Sequence, residues 1–323
     1  MTIDIPNVRT SWPHEINAIT LGATPAEGGT RTSTVTVGGG TTLPFCQFEG
    51  SIPNRPVVAI EVWDIPPQTW PDTVYNPFAD VADDPAAWAK KAVEAFGADM
   101  ICLRLKGCDP THGNRSPEQA ATTARQVADA VGVPLIIWGC GNDEKDNALF
   151  PVVSEALSGE NCLLGTITED NYQSLTTVAA AYGHKLIAES PVDINIAKQV
   201  NILALDAGFP EEQLVIFPSS GALGYGLEYV YSIMERLRIA GLKGDRAVAM
   251  PILCDIGTDV WSTREANAPV SGWGDAKIRG PLWEASTAQA YLLAGADMLV
   301  MRHPDAVRLT QKTIARLMGG NTR

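Results

Sequence analysis

The chain has 323 residues, of which 24 are Lys or Arg and 37 are Asp or Glu, giving a formal charge of −13. That balance argues against nucleic acid and anionic membrane surfaces as partners. A hydrophobic content of 45% is ordinary for a globular chain with a full core, and the length admits either two domains or one α/β barrel with additions.

The N-terminus, MTIDIPNVRTSW, lacks a basic segment followed by an apolar core, so no signal peptide is expected. The longest apolar runs are strand-sized, short of the ~20 residues of a membrane helix, so no membrane association and a cytoplasmic location are expected. Residues 1–56 form a first region. ITLGATPAEGG and RTSTVTVGGG alternate Thr and Val around glycines, which predicts two short strands joined by a Gly-rich turn. No charged or catalytic cluster is visible there.

Residues 57–323 follow a different pattern. Strands are predicted over 56–64, 98–107, 133–141, 160–168, 183–190, 212–220, 247–255 and 296–304. Helical stretches lie between them, such as PAAWAKKAVEAF, DINIAKQVNILALDAG and LEYVYSIMERLRIAG. In SPEQAATTARQVADAV, Ser116 before Pro117 and Glu118 marks a helix start. FGADM (96–100) and AGADM (294–298) repeat one device, a helix ending near Gly with a strand directly after it. Eight such units predict a closed parallel (β/α)8 TIM barrel with an N-terminal β-hairpin extension. A doubly wound sheet is disfavoured because no G-x-G-x-x-G turn follows the first strand. SSGALGYG (219–226) has the wrong spacing and is expected as a tight helix entry, although its N–H groups could meet an acceptor.

In such a barrel chemistry sits at the C-terminal ends of the strands. The polar or aromatic residues placed there are Asp64, Lys106, Asp109, Trp138, Asn142, Thr166, Glu169, Glu189, Ser219, Asp255 and His303. Alternation turns Ile60 and Val62 towards the helices and Glu61 inward, and likewise turns Arg104 inward, with Glu189 a candidate to join them. A buried, paired charge cluster is expected rather than a catalytic acid–base pair. The six cysteines (Cys46, Cys102, Cys108, Cys140, Cys162 and Cys254) show no C-x-x-C spacing and read as small buried hydrophobes, with Cys108 and Cys140 open to another role at strand ends. His14, His112, His184 and His303 are scattered, so no metal site is predicted, and there is no G-x-S-x-G elbow.

Six of the eight tryptophans fall at strand ends or in the long loops 64–84 and 255–285: Trp63, Trp70, Trp138, Trp261, Trp273 and Trp283. Either these rings pack the loops onto the barrel or they offer an apolar face to a ligand or partner. LIIWGCGN (135–142) ends a strand on Trp138 and then loses almost all bulk, which suggests a shallow rim suited to a wide ligand.

ADMICLRLKG, LIIWGCGN, ESPVDINIAKQVN, SSGALGYGLEYVYSIMERLR and RGPLWEASTAQAYLLAGADMLVMRHP closely resemble the small subunit of the corrinoid iron–sulfur protein, a family that includes the delta subunit of the acetyl-CoA decarbonylase/synthase complex. The resemblance runs over most of residues 57–318. It implies a TIM barrel whose mouth covers a cobalamin (corrinoid) held by a large subunit, which also carries a [4Fe–4S] cluster. The pair would carry a methyl group from a methyl-tetrahydrofolate methyltransferase to acetyl-CoA synthase, and the chain alone is expected to have no activity. Under this resemblance the residues bordering the corrinoid are Trp138, Gly139, Cys140, Gly141 and Asn142, with Ser219, Ser220, Gly221, Asp255 and Gly257. The absence of D-x-H-x-x-G and of cluster-spaced cysteines agrees with cofactors held by another chain. One departure is that Phe217-Pro218-Ser219-Ser220 stands where the family has Asp-Pro-Thr-Thr. The alternative is a stand-alone pterin-dependent methyltransferase on the same barrel, using Asp64, Asn142 and Asp255 on the pterin edge. A third is a subunit that binds only protein.

Overall fold

The computed structural model describes residues 7–191, 193–218 and 226–319. β1 (Ala18–Leu21) and β2 (Val35–Gly38) pair antiparallel, Ala18 opposite Gly38 and Leu21 opposite Val35. The hairpin is present, but no tight Gly-rich turn joins it. Residues 22–34 make a longer connection containing a 3-10 turn, Pro25–Glu27, in which Glu27 accepts from the N–H and hydroxyl of Thr24. That local carboxylate braces the turn, which Gly28 closes at φ +92°.

The barrel strands are β3 (Val57–Trp63), β4 (Met100–Arg104), β5 (Leu135–Trp138), β6 (Leu163–Ile167), β7 (Lys185–Ser190), β8 (Leu214–Pro218), β9 (Leu253–Asp255) and β10 (Met298–Met301). All are parallel, in the order β8-β7-β6-β5-β4-β3-β10-β9, and among the described residues a single bridge between Ile216 and Ile252 joins β8 to β9. The predicted strand 247–255 is thus cut to three residues. Arg246–Val248 is a 3-10 turn instead, and Pro251 has no N–H to give to a ladder.

Around the barrel lie α1 (Asp72–Tyr75), α2 (Pro85–Glu94), α3 (Pro117–Ala130), α4 (Asp143–Ala156), α5 (Tyr172–Tyr182), α6 (Ile194–Asp206), α7 (Leu227–Leu242), α8 (Ile256–Trp261), α9 (Arg264–Asn267), α10 (Ala276–Ala294) and α11 (Pro304–Leu317). Ser116 caps α3 as expected, though its reciprocal partner is Gln119. The repeated GADM device closes the same way twice. Asp99 accepts the N–H of Val58 at 3.0 Å and Asp297 that of Ile252 at 2.9 Å, so each aspartate ties the start of its strand to the neighbouring one.

Two apolar layers follow from the two-residue alternation. Val58, Ile60, Val62, Ile101 and Leu103 pack outward into the helices. Ala59, Cys102, Ile136, Leu163, Ile187, Val215 and Val300 fill the interior, and Ile19, Leu21 and Val37 of the hairpin join them. The hairpin therefore stops the N-terminal end of the barrel. It is fastened by Arg31, which is buried, pairs with Glu160 at 2.9 Å and donates to the carbonyls of Val131 and Ala128. The sequence shows no charged cluster in this region; in the fold Arg31 forms one, completed by Glu160 far along the chain.

Candidate functional site

The opposite end of the barrel carries the charge cluster. Glu61 lies on the inner face two residues before the end of β3, and Arg104 ends β4 beside it at 3.1 Å. Arg302, one alternation beyond the inward Val300, donates to both oxygens of Glu61 at 3.0 Å and to the hydroxyl of Thr258 at 2.8 Å. Arg104 also pairs with Asp255, whose other oxygen caps α8 at the N–H of Thr258. Two acids and two guanidinium groups thus neutralise one another out of water. Burial alone would raise the Glu61 carboxyl, but Arg104 and Arg302 outweigh it and hold its pKa at about 2. Burial opposes charge on Arg104 too, and Asp255 and Glu61 more than restore it. Gly257 is where Arg302 passes, since a Cβ there would lie 2.7 Å from its Cγ.

Aromatic rings cover both arginines. The Arg104 guanidinium lies 4.3 Å from the Trp138 ring centre and that of Arg302 lies 4.8 Å from Trp70. Phe217 meets Trp138 edge-on at 5.1 Å, so this position supplies a ring and no acid. Trp70 continues edge-on to Trp63 and Trp88.

Glu61 and Arg104 meet as expected, whereas Glu189 does not complete the pair. Its carboxylate accepts from the Thr166 hydroxyl at 2.5 Å, and Asp255 is the acid that reaches Arg104, although β7 and β9 lie equally far from β4, three places each, in the sheet order. Burial raises the pKa of Glu189, and Thr166 and Arg104 only partly offset this. Other strand-end residues are spent locally. Asp64 accepts the N–H of Gly107 at 2.7 Å, Asn142 caps α4 at Lys145, and His303 caps α11 at Asp305 and stacks on Trp261. Lys106 donates to the carbonyl of Cys140 at 2.9 Å.

The run after Trp138 holds an internal anion. The N–H groups of Cys140 and Gly141 donate to the two oxygens of Asp146, at 2.8 and 3.1 Å. A Cβ on Gly139 would stand 2.3 Å from that carboxylate, and Gly141 has φ +92°. Asp146, in the first turn of α4, went unnoticed in the sequence because a nest of N–H groups leaves no side-chain signature. The thiols of Cys108 and Cys140 are buried and pushed up to about 12 by burial, so neither is a reactive thiolate. Ser219, Ser220 and Gly221 lie outside the described residues.

Two further acids were missed. Glu284 of α10 accepts the backbone N–H groups of Arg302 and His303 and the Trp261 indole N–H, and burial lifts its pKa to about 7. Asp259 of α8 lies beside the cluster, with its pKa raised to about 8 by burial and by Asp255. Its Oδ2 is sealed from water and has no hydrogen-bond partner.

The tryptophans divide between the two readings. Trp63, Trp70, Trp138 and Trp261 are buried; Trp70 packs its loop against Trp63, Trp261 bonds Glu284, and Trp138 packs on Arg104 and Phe217. Trp273 and Trp283 are 42% and 40% exposed and line an open groove with Ile278 and Leu282 along α10. Arg279 fixes that loop, stacking on Trp273 and donating to the carbonyls of Glu265, Ala268 and Gly274.

The family model described as CO dehydrogenase/acetyl-CoA synthase delta subunit matches residues 18–318. The acetyl-CoA decarbonylase/synthase complex subunit delta of Archaeoglobus fulgidus is 38% identical over 317 residues, covering 96% of this chain and 70% of that protein. The subunit of the same name from Methanothermobacter thermautotrophicus is 38% identical over 308 residues, covering 95% and 77%. Among solved structures, dihydropteroate synthase from Xanthomonas albilineans superimposes with a TM-score of 0.55 at 15% identity, covering 85% of this chain and 97% of that one. The enzyme from Stenotrophomonas maltophilia gives 0.55 at 17% identity, covering 83% and 94%. At that identity the likeness speaks to the barrel fold alone.

Proposed function

The chain belongs to the CO dehydrogenase/acetyl-CoA synthase delta subunit family, and on that premise we propose that it is the small subunit of a heterodimeric corrinoid methyl carrier, its barrel mouth covering a cobalamin held by the large subunit. The partners in this reading are that large subunit, which carries a [4Fe–4S] cluster, a methyl-tetrahydrofolate methyltransferase that loads the methyl group, and acetyl-CoA synthase that receives it. When bound, the corrinoid supplies the cobalt that takes up and gives away the methyl group. This chain's part is to cover, orient and keep water out.

The observation that carries the reading is the self-contained mouth. Glu61, Arg104, Asp255 and Arg302 satisfy one another, and Trp138 and Phe217 present rings above them. A broad macrocycle edged with amides fits a mouth of balanced charge, floored by the buried rings of Trp138 and Phe217. Trp138, Asp255 and the part-exposed Asp259 would border the ring, with the exposed Gly141 and Asn142 on the rim. A stand-alone pterin enzyme would need Asp64, Asn142 and Asp255 free for the pterin edge. Asn142 and Asp255 are engaged, by the α4 N-terminus and by Arg104, and Asp64 gives one oxygen to Gly107 while the other is sealed from water.

The test is a visible spectrum after desalting. The chain alone, incubated with corrinoid and iron–sulfide, is expected to stay colourless. It should acquire the corrinoid band only when the large subunit is present. Stoichiometric corrinoid retained by the isolated chain would move the cofactor site into this barrel and overturn the reading.

A further inference from the structure

Nine large apolar side chains are exposed among the described residues, and five of them, Trp273, Ile278, Leu282, Trp283 and Leu293, belong to α10 and the turn before it. Ile278 is 63% and Leu282 49% exposed. These two stand one helical turn apart with Trp283 next to them, and together with Trp273 they line one open groove. A helix that only walls a barrel turns polar residues to the water, and single exposed apolar residues need no explanation. Two tryptophans and two aliphatic side chains in one groove are a contiguous patch, the kind of surface that another molecule covers.

The groove is held ready. Trp273 stands between Gly272 and Gly274, whose φ values of +89° and +81° turn the chain on either side of it. Arg279 stacks on the ring and donates to the carbonyls of Glu265, Ala268, Trp273 and Gly274. A ring fixed before its partner arrives loses little freedom on binding. Those bonds all go to carbonyls, so the charge of Arg279 meets no carboxylate. The exposed Lys277 and Arg264 form no ion pair among the described residues. The acids nearby are Glu265 and Asp275, and Asp275 caps α10 at the Lys277 N–H. Residues 264–279 thus hold three cations and two acids in a chain whose formal charge is −13. Trp283 also adjoins Glu284, which holds the backbone of Arg302 and His303 at the end of β10, so the groove starts beside the mouth.

We propose that this groove is a docking face for the large subunit, and that its occupant is an apolar segment of that subunit flanked by carboxylates. The inference rests on the reading above, in which a large subunit lies over the mouth, and adds a second contact on the barrel flank that does not involve the corrinoid. A second copy of this chain fits less well. A two-fold contact would set Lys277 and Arg279 against the same cations, and two chains of −13 repel each other.

The measurement is calorimetric binding of the corrinoid-loaded large subunit to this chain at low and high salt. Leu282→Asp combined with Trp283→Ser should weaken binding at least about thirtyfold, the scale of a lost interface anchor. Lys277→Glu combined with Arg264→Glu should weaken it about fivefold at low salt, and the loss should vanish at high salt. All four side chains are exposed, and thermal melts check that the variants fold. Wild-type affinity in both double variants overturns the inference and leaves the covering role intact. Light scattering of the chain alone should give a monomer. A dimer that Leu282→Asp with Trp283→Ser dissolves would assign the groove to a second copy and overturn the inference. Cyanide ligation of the cobalt, read in the visible spectrum, separates the two claims. If the variants weaken binding as expected but the wild-type complex leaves cobalt as open to cyanide as the large subunit alone, the docking face stands and the covering role falls. A large subunit that does not bind the wild-type chain at all overturns both.

Discussion

The two ends of the barrel each bury an ion-pair network, and they are finished differently. At the N-terminal end Arg31 and Glu160 are covered by the chain's own hairpin. Arg31 spends its guanidinium on Glu160, Thr30 and the carbonyls of Val131 and Ala128, and Glu160 has Arg125 as a second cation. At the C-terminal end Glu61, Arg104, Asp255 and Arg302 lie beneath aromatic rings, with Asp259 left unmatched beside them. The difference teaches how to tell a structural network from one beside a site. The first is closed by residues of the same chain, Arg31 and Arg125 meeting Glu160 and Asp129. The second is closed only up to the layer where something from outside would sit.

The sharpest way to break this comparison is to remove one arginine from each end. Arg104→Met strips a cation from both Glu61 and Asp255 and should destabilise by roughly 3–5 kcal/mol in urea unfolding. Arg31→Met leaves Glu160 paired with Arg125 and should cost less, about 2–3 kcal/mol, for its charged hydrogen bonds. Equal losses would show that the second cation, Arg125, does nothing for Glu160. An Arg104→Met protein of wild-type stability without methyl transfer would give the mouth network a catalytic role.

A second test uses pH. Glu61 has its folded pKa lowered to about 2, so the stability it contributes is complete above its ordinary value near 4.5 and is lost as pH falls towards 2. Glu284 and Asp259 are raised, to about 7 and about 8, so the native state holds their protons longer and stability declines as pH rises from the ordinary carboxyl range through those values. Unfolding free energy against pH should therefore rise on leaving acid and sag towards pH 8. Glu61→Gln should remove the acid arm, and Glu284→Gln should flatten part of the sag. Unchanged profiles would mean these carboxyls titrate as they do in the unfolded chain.

The smallest effect expected is at the rim. Gly139→Ala forces a Cβ onto Asp146 and should lower stability, whereas Gly141 is exposed, with Lys106 Nζ 3.7 Å from where its Cβ would be. Gly141→Trp should cost only the strain of a positive φ, on the order of 1 kcal/mol, and slow methyl transfer in the reconstituted pair. An unaltered transfer rate would leave Gly141 as a turn residue only.

Much of this was legible in the sequence because a closed parallel barrel writes itself in two-residue alternation. The inward turn of Glu61 and Arg104 follows from it, and so does that of Arg302, two residues past the inward Val300, although the sequence reading did not follow the last strand that far. Glu189 was misjudged for a different reason. Alternation gives the face of a residue but not the reach of its side chain across a barrel: Glu189 and Asp255 stand on strands equally far from β4, and Glu189 is taken by Thr166 next door while Asp255 meets Arg104. Asp146 and Asp259 were illegible because one is held by backbone N–H groups and the other is defined by having no partner. The tryptophans could not be sorted either. Burial of Trp261 depends on Glu284 and His303 arriving from distant segments, and exposure of Trp273 on Arg279 pinning its loop outward.

The short β9 has a mechanical consequence. Seven of the eight seams in the barrel wall are ladders of several residues, whereas the eighth, between β8 and β9, hangs on one bridge with Ile216 donating to the Pro251 carbonyl. A cylinder slit along one line yields there first, and here the far end is stoppered by the hairpin. The wall can then part only at the open end, where the two lips of the slit carry Phe217 and Asp255. Widening would draw Phe217 away from Trp138 and Asp255 from Arg104 together, and the Ile216 amide should be the first of the barrel amides to exchange with solvent deuterium.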